Sequence, residues 1–511
     1  MIRKLCLWLV LAIVSIAPGA AHAEWRQYET AHFVIYSEAG EKDVGTLAER
    51  LESVDGLLRL ATGLGDNVDP VKVRIYHVAT DEQVERALGL KDSGVAGFYD
   101  SNVLGPFLVT PRKTYFRQAD FTPELVLHHE YAHHFMLQYF PAIYPSWYVE
   151  GFAELIGSSR FMDDGRIAYG MPAKHRGESI AFSWISLEDL LTKPPEKIHG
   201  FDLYGQGWAM THFFTFSKTR APQMRKFLQG LRAGKPQAQA AKEAFGDLAA
   251  LNREAYQYLT AGSFEYRPVK VEIKRPVIMG SRAVTAGEAQ LVPETIAFRD
   301  DELGIYRKPG ARLREKKLRD ENLDSIRQKA ARLPADPYAL YLLSEAEWSA
   351  GNVAEAGSAA DRLLAIQPNH PRAMVTKSLT LATAAAALAG PARDEKATEA
   401  RRLALRANKA DPNDALALVA YYQSFHLVGA KPPKAAVDGL FAAVLTLPAD
   451  IRIRQLLVDE LAAERRWAEA IAVLMPIANS PHDSPRRTAA QEQMAKLQAE
   501  LAKERGAPAA S

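Results

Sequence analysis

Apolar and polar residues alternate along His32–Glu38 (HFVIYSE) and again along Val71–Val78 (VKVRIYHV). That period of two predicts half-buried strands. Between them, Val44–Leu64 repeats its apolar residues at helical spacing. Gly97–Pro111 reads as two short strands around a turn, and long helical patterns follow over Pro123–Tyr139, Ser146–Gly157 and Tyr204–Thr219. Strands first and helices after them predict an α+β domain over residues 24–266. The pattern then changes. VKVEIKRPVIMG (Val269–Gly280) offers one or two strands, and a charge-dense run follows, so 267–332 is expected to be a connector ending in a solvated helix.

From about Pro334 the chain is rich in Ala and Leu and helical throughout. Pro337, Pro368, Pro412 and Pro448 recur near the ~34-residue period of tetratricopeptide units, with ATAAAALAGPARDEK as an apparent insert. Ala356, Ala360 and Gly351 fall on small-residue positions, as do Ala400, Ala404, Ala407, Ala436 and Ala443. A last unit holds Trp467, Ala470 and Leu474. Close packing of paired helices demands such residues. Residues 333–505 are therefore expected to form three to four degenerate tetratricopeptide-like units able to recruit a protein partner.

Composition narrows the picture. Lys plus Arg number 63 and Asp plus Glu 61 in 511 residues, so no basic excess suggests nucleic acid. MIRKLCLWLVLAIVSIAPGAAHA has the charged, apolar and A-x-A parts of an export signal, with cleavage expected near Ala23 and a periplasmic or secreted product. No later segment is apolar enough to span a membrane. The single cysteine, Cys6, lies in the signal, which excludes disulfides, cysteine ligands and a cysteine nucleophile from the mature chain.

The candidate chemistry lies in ELVLHHEYAHHFMLQY, where His129-Glu130-Tyr131-Ala132-His133 is an H-E-x-x-H motif. Residues four apart share a helix face, so His129 and His133 can grip one zinc ion while Glu130 serves as base. Ser146 is placed as the N-cap of the next helix, WYVEGFAEL. Glu150, 17 residues after His133, can complete a three-ligand site.

HEYAHH, WYVEGFAEL and LYGQGWAMTHFF together resemble the gluzincin metallopeptidases. The chain looks most like the bacterial peptidase-MA-like proteins, and more distantly like aminopeptidase-N-type enzymes. The resemblance implies Glu150 as third ligand, Glu154 as the carboxylate that steadies a zinc-binding histidine, and Tyr204 as the oxyanion donor. The Glu that holds a free substrate amine in the aminopeptidase branch is missing from Ala96–Asp100, which favours cleavage within a polypeptide. Phe98 and Tyr99 are placed as substrate-lining residues on an edge strand, and His212 is a further catalytic candidate. The expectation is a secreted zinc metallopeptidase with recruiting repeats. The alternative is a catalytically inactive periplasmic repeat scaffold.

Overall fold

A computed structural model describes residues 24–65, 71–113, 121–177, 180, 184–193, 197–198, 200–299, 309–479 and 485–506. The expected export signal, 1–23, lies outside the described residues.

The N-terminal half is built on β1 (Arg26–Glu29), β2 (Phe33–Ser37), β3 (Val73–Thr80), β4 (Phe98–Asn102) and β5 (Gly105–Lys113). Helices α1 (Glu41–Thr62) and α2 (Asp81–Ala87) connect the first of them. Then follow α3 (Pro123–Tyr139), α4 (Ser146–Gly157), β6 (Arg160–Phe161), β7 (Ile167–Tyr169), α5 (Leu187–Thr192), α6 (Gly200–Phe216), α7 (Arg220–Arg232), α8 (Gln237–Phe245) and α9 (Leu248–Thr260). The strand and helix expectations up to α4 hold within a few residues.

The expected connector is divided between the two halves. β8 (Arg267–Val269) pairs with β7, and β9 (Gly280–Ala283) pairs with β1. These strands flank VKVEIKRPVIMG and leave its middle outside either ladder. A mixed six-stranded sheet results, in the order β4-β5-β3-β2-β1-β9, with β4 at one edge. One face carries Phe33, Ile35, Ile75 and Leu108 against α1 and α3. The other carries Tyr76, Phe107 and Val109 against α2 and α10 (Ala286–Ile296).

α11 (Pro309–Arg332), the charge-dense helix, is not wholly solvated: Leu323, Ile326 and Ala330 are buried in the core of the C-terminal half. Four helix pairs follow. They are α12 (Pro337–Ser349) with α13 (Val353–Ile366), α14 (Pro371–Ala386) with α15 (Gly390–Ala410), α16 (Ala415–His426) with α17 (Lys434–Thr446), and α18 (Ile451–Ala463) with α19 (Trp467–Ala478). α20 (Pro485–Glu504) ends the array. Pro368, Pro412 and Pro448 lie between successive pairs, and Pro337 opens the first. The apparent insert is no loop; it lengthens α14 and α15. Ala356, Ala360, Ala400, Ala404, Ala436 and Ala443 are all fully buried, so this half is a tetratricopeptide-like repeat array. Gly351 is different. It sits in the α12–α13 turn at φ +82° with open space around it, and serves backbone freedom rather than close packing.

The two halves meet. Val103, at the turn between β4 and β5, is buried in the same apolar cluster as Leu379 of α14, Leu416 of α16 and Leu457 of α18. It borders an open cavity of about 400 Å³ on the repeats that Trp348, Leu379, Gln423 and Leu456 also line.

Candidate metal centre

α3 begins where Thr122 caps it. The Thr122 hydroxyl accepts a hydrogen bond from the Leu125 amide, and Pro123 fills the first turn, where its missing N–H costs nothing. The apolar face of this helix, Leu127, Tyr131, Ala132 and Phe135, is buried beneath the sheet. That burial fixes the rotation of α3 and turns His129 and His133 together toward α4. Their Nε2 atoms are 3.1 Å apart.

α4 starts after Pro145, in extended conformation, with Ser146 as its first helical residue. Ser146 therefore does not cap the helix, and its buried hydroxyl makes no hydrogen bond among the described residues. Two glycines set how α4 meets α6. A side chain on Gly151 would collide with the Gly207 carbonyl, and a Cβ on Gly207 would lie 2.6 Å from the Trp147 carbonyl oxygen. The two backbones touch there, which is why glycine stands in both WYVEG and YGQG. The contact brings Glu150 and Tyr204 to the histidine pair.

Glu150 Oε2 lies 3.5 Å from His129 Nε2 and 3.6 Å from His133 Nε2. A tetrahedral zinc with bonds of ~2.0–2.1 Å holds its ligand atoms about 3.3–3.4 Å apart. The triangle of 3.1, 3.5 and 3.6 Å fits that ion. Burial works against charging His129, but the Glu150 hydrogen bond and the Glu154 and Glu130 charges raise it to about 9. Burial likewise opposes the Glu150 charge, and His133 and His129 overcome it and hold the carboxyl well below its ordinary range.

Glu154, one turn after Glu150, is fully buried behind His129, with Oε1 3.5 Å from His129 Nδ1. His175 Nε2 lies 2.7 Å from its other oxygen, and Arg176 donates to Oε1 at 2.6 Å. Burial would neutralise Glu154; His175, His129 and Arg176 instead hold it near 2. Neither His175 nor Arg176 was expected here. They arrive on a short 3₁₀ turn, Lys174–Arg176, in a stretch without periodicity. The Arg176 guanidinium also lies 4.6 Å from the centre of the Tyr204 ring, whose centre is 6.0 Å from that of His129. Burial and the Glu150 charge push the Tyr204 phenol above its ordinary value, so it remains a proton donor.

Glu130 faces a cavity rather than the core. Its Oε2 accepts a hydrogen bond from the Tyr99 amide of β4 at 3.2 Å. Tyr99 lines that cavity with Glu130 and His133, and its hydroxyl lies 3.2 Å from His134 Nδ1. Phe98 does not line it. Successive strand residues face opposite ways, and Phe98 packs edge-on to Phe107 on the far face of the sheet.

Three other histidines have structural settings. His212 is fully buried, with Nε2 at the Gly170 and Glu265 carbonyls and Nδ1 2.7 Å from the Tyr258 hydroxyl, so it is a tie and not a catalytic group. His128 points to the reverse side of α3, and burial drops it to about 3. A second cluster, His32, Glu52 and Asp55, is a closed network: Asp55 accepts from Arg59 at 2.6 Å and from Tyr131 at 2.7 Å.

No family model matches the chain, and no curated protein matches it. Solved structures do. A thermophilic TPR protein from Thermus thermophilus is 20% identical, with 37% of this chain and 95% of that one covered at a TM-score of 0.32. A double mutant of MamA is 18% identical over 40% and 97%, at 0.23. A tetratricopeptide repeat protein from Parabacteroides merdae is 11% identical over 57% and 94%, at 0.28. The expectation of a secreted peptidase with accessory repeats is corrected on this finding. Among the solved structures it matches, tetratricopeptide repeat proteins are what the chain is similar to. Among the described residues no helix is long and apolar enough to cross a membrane.

Proposed function

We propose that this chain is an exported, repeat-based binding protein whose N-terminal half carries a three-ligand zinc centre of gluzincin-like form, with one coordination position left to a ligand from the cavity. The observation that carries the binding reading is the open cavity of about 400 Å³ on the repeats, walled by Trp348, Leu379 and Leu456, with Gln423 as a polar marker. Stacked helix pairs present such surfaces to polypeptide partners, and an apolar cavity with few polar groups suits an apolar side chain of the partner. The test is a photo-reactive residue at Thr383, on the cavity wall. It should capture one defined polypeptide, in competition with unlabelled chain. Capture should be lost in Leu456→Glu with its helical circular dichroism unchanged. Capture that ignores this substitution would end the reading.

The zinc reading is supported by the fitting triangle of His129, His133 and Glu150. Zinc, when bound, supplies Lewis acidity. Glu154 orients His129 and raises its basicity as a ligand. Metal analysis of the purified chain tests this directly.

One observation favours a second reading, hydrolysis at this centre. Glu130 is present at the cavity wall beside His133, held by the Tyr99 amide, where a scaffold has no chemical need for it. In that reading Glu130 accepts and returns a proton at Oε1 or Oε2, and Tyr204 donates a hydrogen bond to developing negative charge. Hydrolysis of an activated ester that is lost in Glu130→Gln, with zinc retained, would favour it. No turnover by either protein would remove it.

A further inference from the structure

The metal face of α3 does not end at His133. Met136 and Phe140 continue the same stripe at helical spacing. They form one wall of an open cavity of about 230 Å³, with Glu130 and His133 at its inner end. The opposite wall comes from far along the chain, from Pro476 and Ile477 near the end of α19 in the last repeat pair. Tyr99 of β4 and Val149 of α4 close the sides. The cavity therefore belongs to both halves.

The halves are held in register on either side of it. Val103 is buried among the repeats, and the Gln138 amide, one turn beyond His134, donates to the Leu445 and Thr446 carbonyls at 3.5 Å each. The cavity walls are mainly apolar, with Glu130 and His133 at the metal end and Asn479 beside Ile477 on the repeat side. Accessible apolar surface rimmed by polar groups marks a ligand-binding or interaction site.

We infer that the ligand of the metal centre carries a bulky apolar or aromatic group beside its metal-binding oxygen, and that Ile477 of the last repeat is the residue that selects for it. This rests on the zinc reading above. The repeats then shape what the metal end accepts, and a chain without α19 has no such selectivity. Covering an aromatic group in an apolar pocket contributes about 10–100-fold in affinity.

The experiment titrates two hydroxamic acids into the zinc-loaded full chain by calorimetry. Acetohydroxamic acid carries only a methyl group, and 3-phenylpropionohydroxamic acid carries an aryl group on the same chelator. The aryl compound should bind about 10–100-fold more tightly. Ile477→Asp should bring the two within a few-fold of each other while acetohydroxamic acid binds as before. Ile477→Ala, which adds no charge, should lose part of the preference, and this variant decides the matter if the aspartate protein fails to fold. Equal binding by the parent chain would overturn the inference with the zinc reading intact. So would a preference that survives both substitutions. A chain that takes up no zinc and binds neither compound would overturn the zinc reading, and this inference with it.

Discussion

In α3 and α4 the buried positions include His128, His129, His134, Glu150 and Glu154; in α13, α15 and α17 they include Ala356, Ala360, Ala400, Ala404, Ala436 and Ala443. Both regions are helices packed on helices, yet their interiors differ in kind. The repeat array does bury charge, but it pairs it off between neighbouring helices, as in Arg327–Glu347 at 2.7 Å and Arg372–Glu345 at 3.0 Å. Around α3, His129 with Glu150 and Glu154 of α4 and His175 of the Lys174–Arg176 turn instead converge on one point. Isolated buried charge is costly. A chain that gathers several such groups at one point is organising a site, whereas small apolar residues at a regular period only repeat a shape.

The contrast can be broken at its strongest place first. His133→Ala leaves two protein ligands, and most of the zinc should be lost on dialysis, as read by atomic absorption. Near-stoichiometric metal in that variant would mean that the convergence on α3 is not a metal site. Glu154→Gln should weaken zinc by roughly 10–100-fold in competition with a chelator, because the carboxylate behind His129 is removed while the ligands stay. In the repeats the expectation reverses. Ala360→Leu should overpack the α12–α13 region and cost about 1–3 kcal/mol in thermal or urea unfolding, with zinc affinity unchanged. A loss of zinc there would show that the two regions are coupled more tightly than their interiors suggest.

The smallest effect tests the closed network of the N-terminal half. Glu52 lies 2.7 Å from His32 Nδ1. Burial opposes both charges, yet their hydrogen bond raises His32 above its ordinary 6.5 and lowers Glu52 below its ordinary 4.5. The Glu52 contribution is present above pH 4.5 and lost as pH falls through its folded value. The His32 contribution is complete below pH 6.5 and lost as pH rises through its folded value. The penalty of Glu52→Gln, about 1 kcal/mol, should therefore be largest between pH 4.5 and 6.5. It should shrink as pH rises beyond that window, in melting temperatures taken across pH 5–9. A penalty that grows with pH would show that the pair is not charged in the folded chain.

How much of this was legible in the sequence follows from how local each feature is. His129, Glu130 and His133 are set by spacing on one helix, and Glu150 by the next helix after one turn. The alanines of the array were legible because they recur. Glu154 was placed by resemblance, but its partners His175 and Arg176 come from an aperiodic turn and left no pattern. Phe98 and Tyr99 could not be told apart, since a strand's period shows two faces without saying which one meets the site. Gly351 was read as a packing residue, although its role lies in backbone conformation, which composition does not reveal. Ser146 was misplaced by a single residue, within the ordinary slack of a helix boundary.

The burial of Val103 among the repeats also has a temporal side. A chain made from its N-terminus completes the β4–β5 turn long before the rest of the cluster that buries Val103, Leu379, Leu416 and Leu457 among it, exists. Contacts so distant in sequence form late and slow folding. Until the third and fourth helix pairs leave the ribosome, the β4–β5 turn ends in an uncovered apolar tip, the kind of exposed surface that promotes association. Translation that stops short of α18 should therefore yield a chain prone to aggregate through that tip, which makes the last repeats an internal chaperone for the β4–β5 turn.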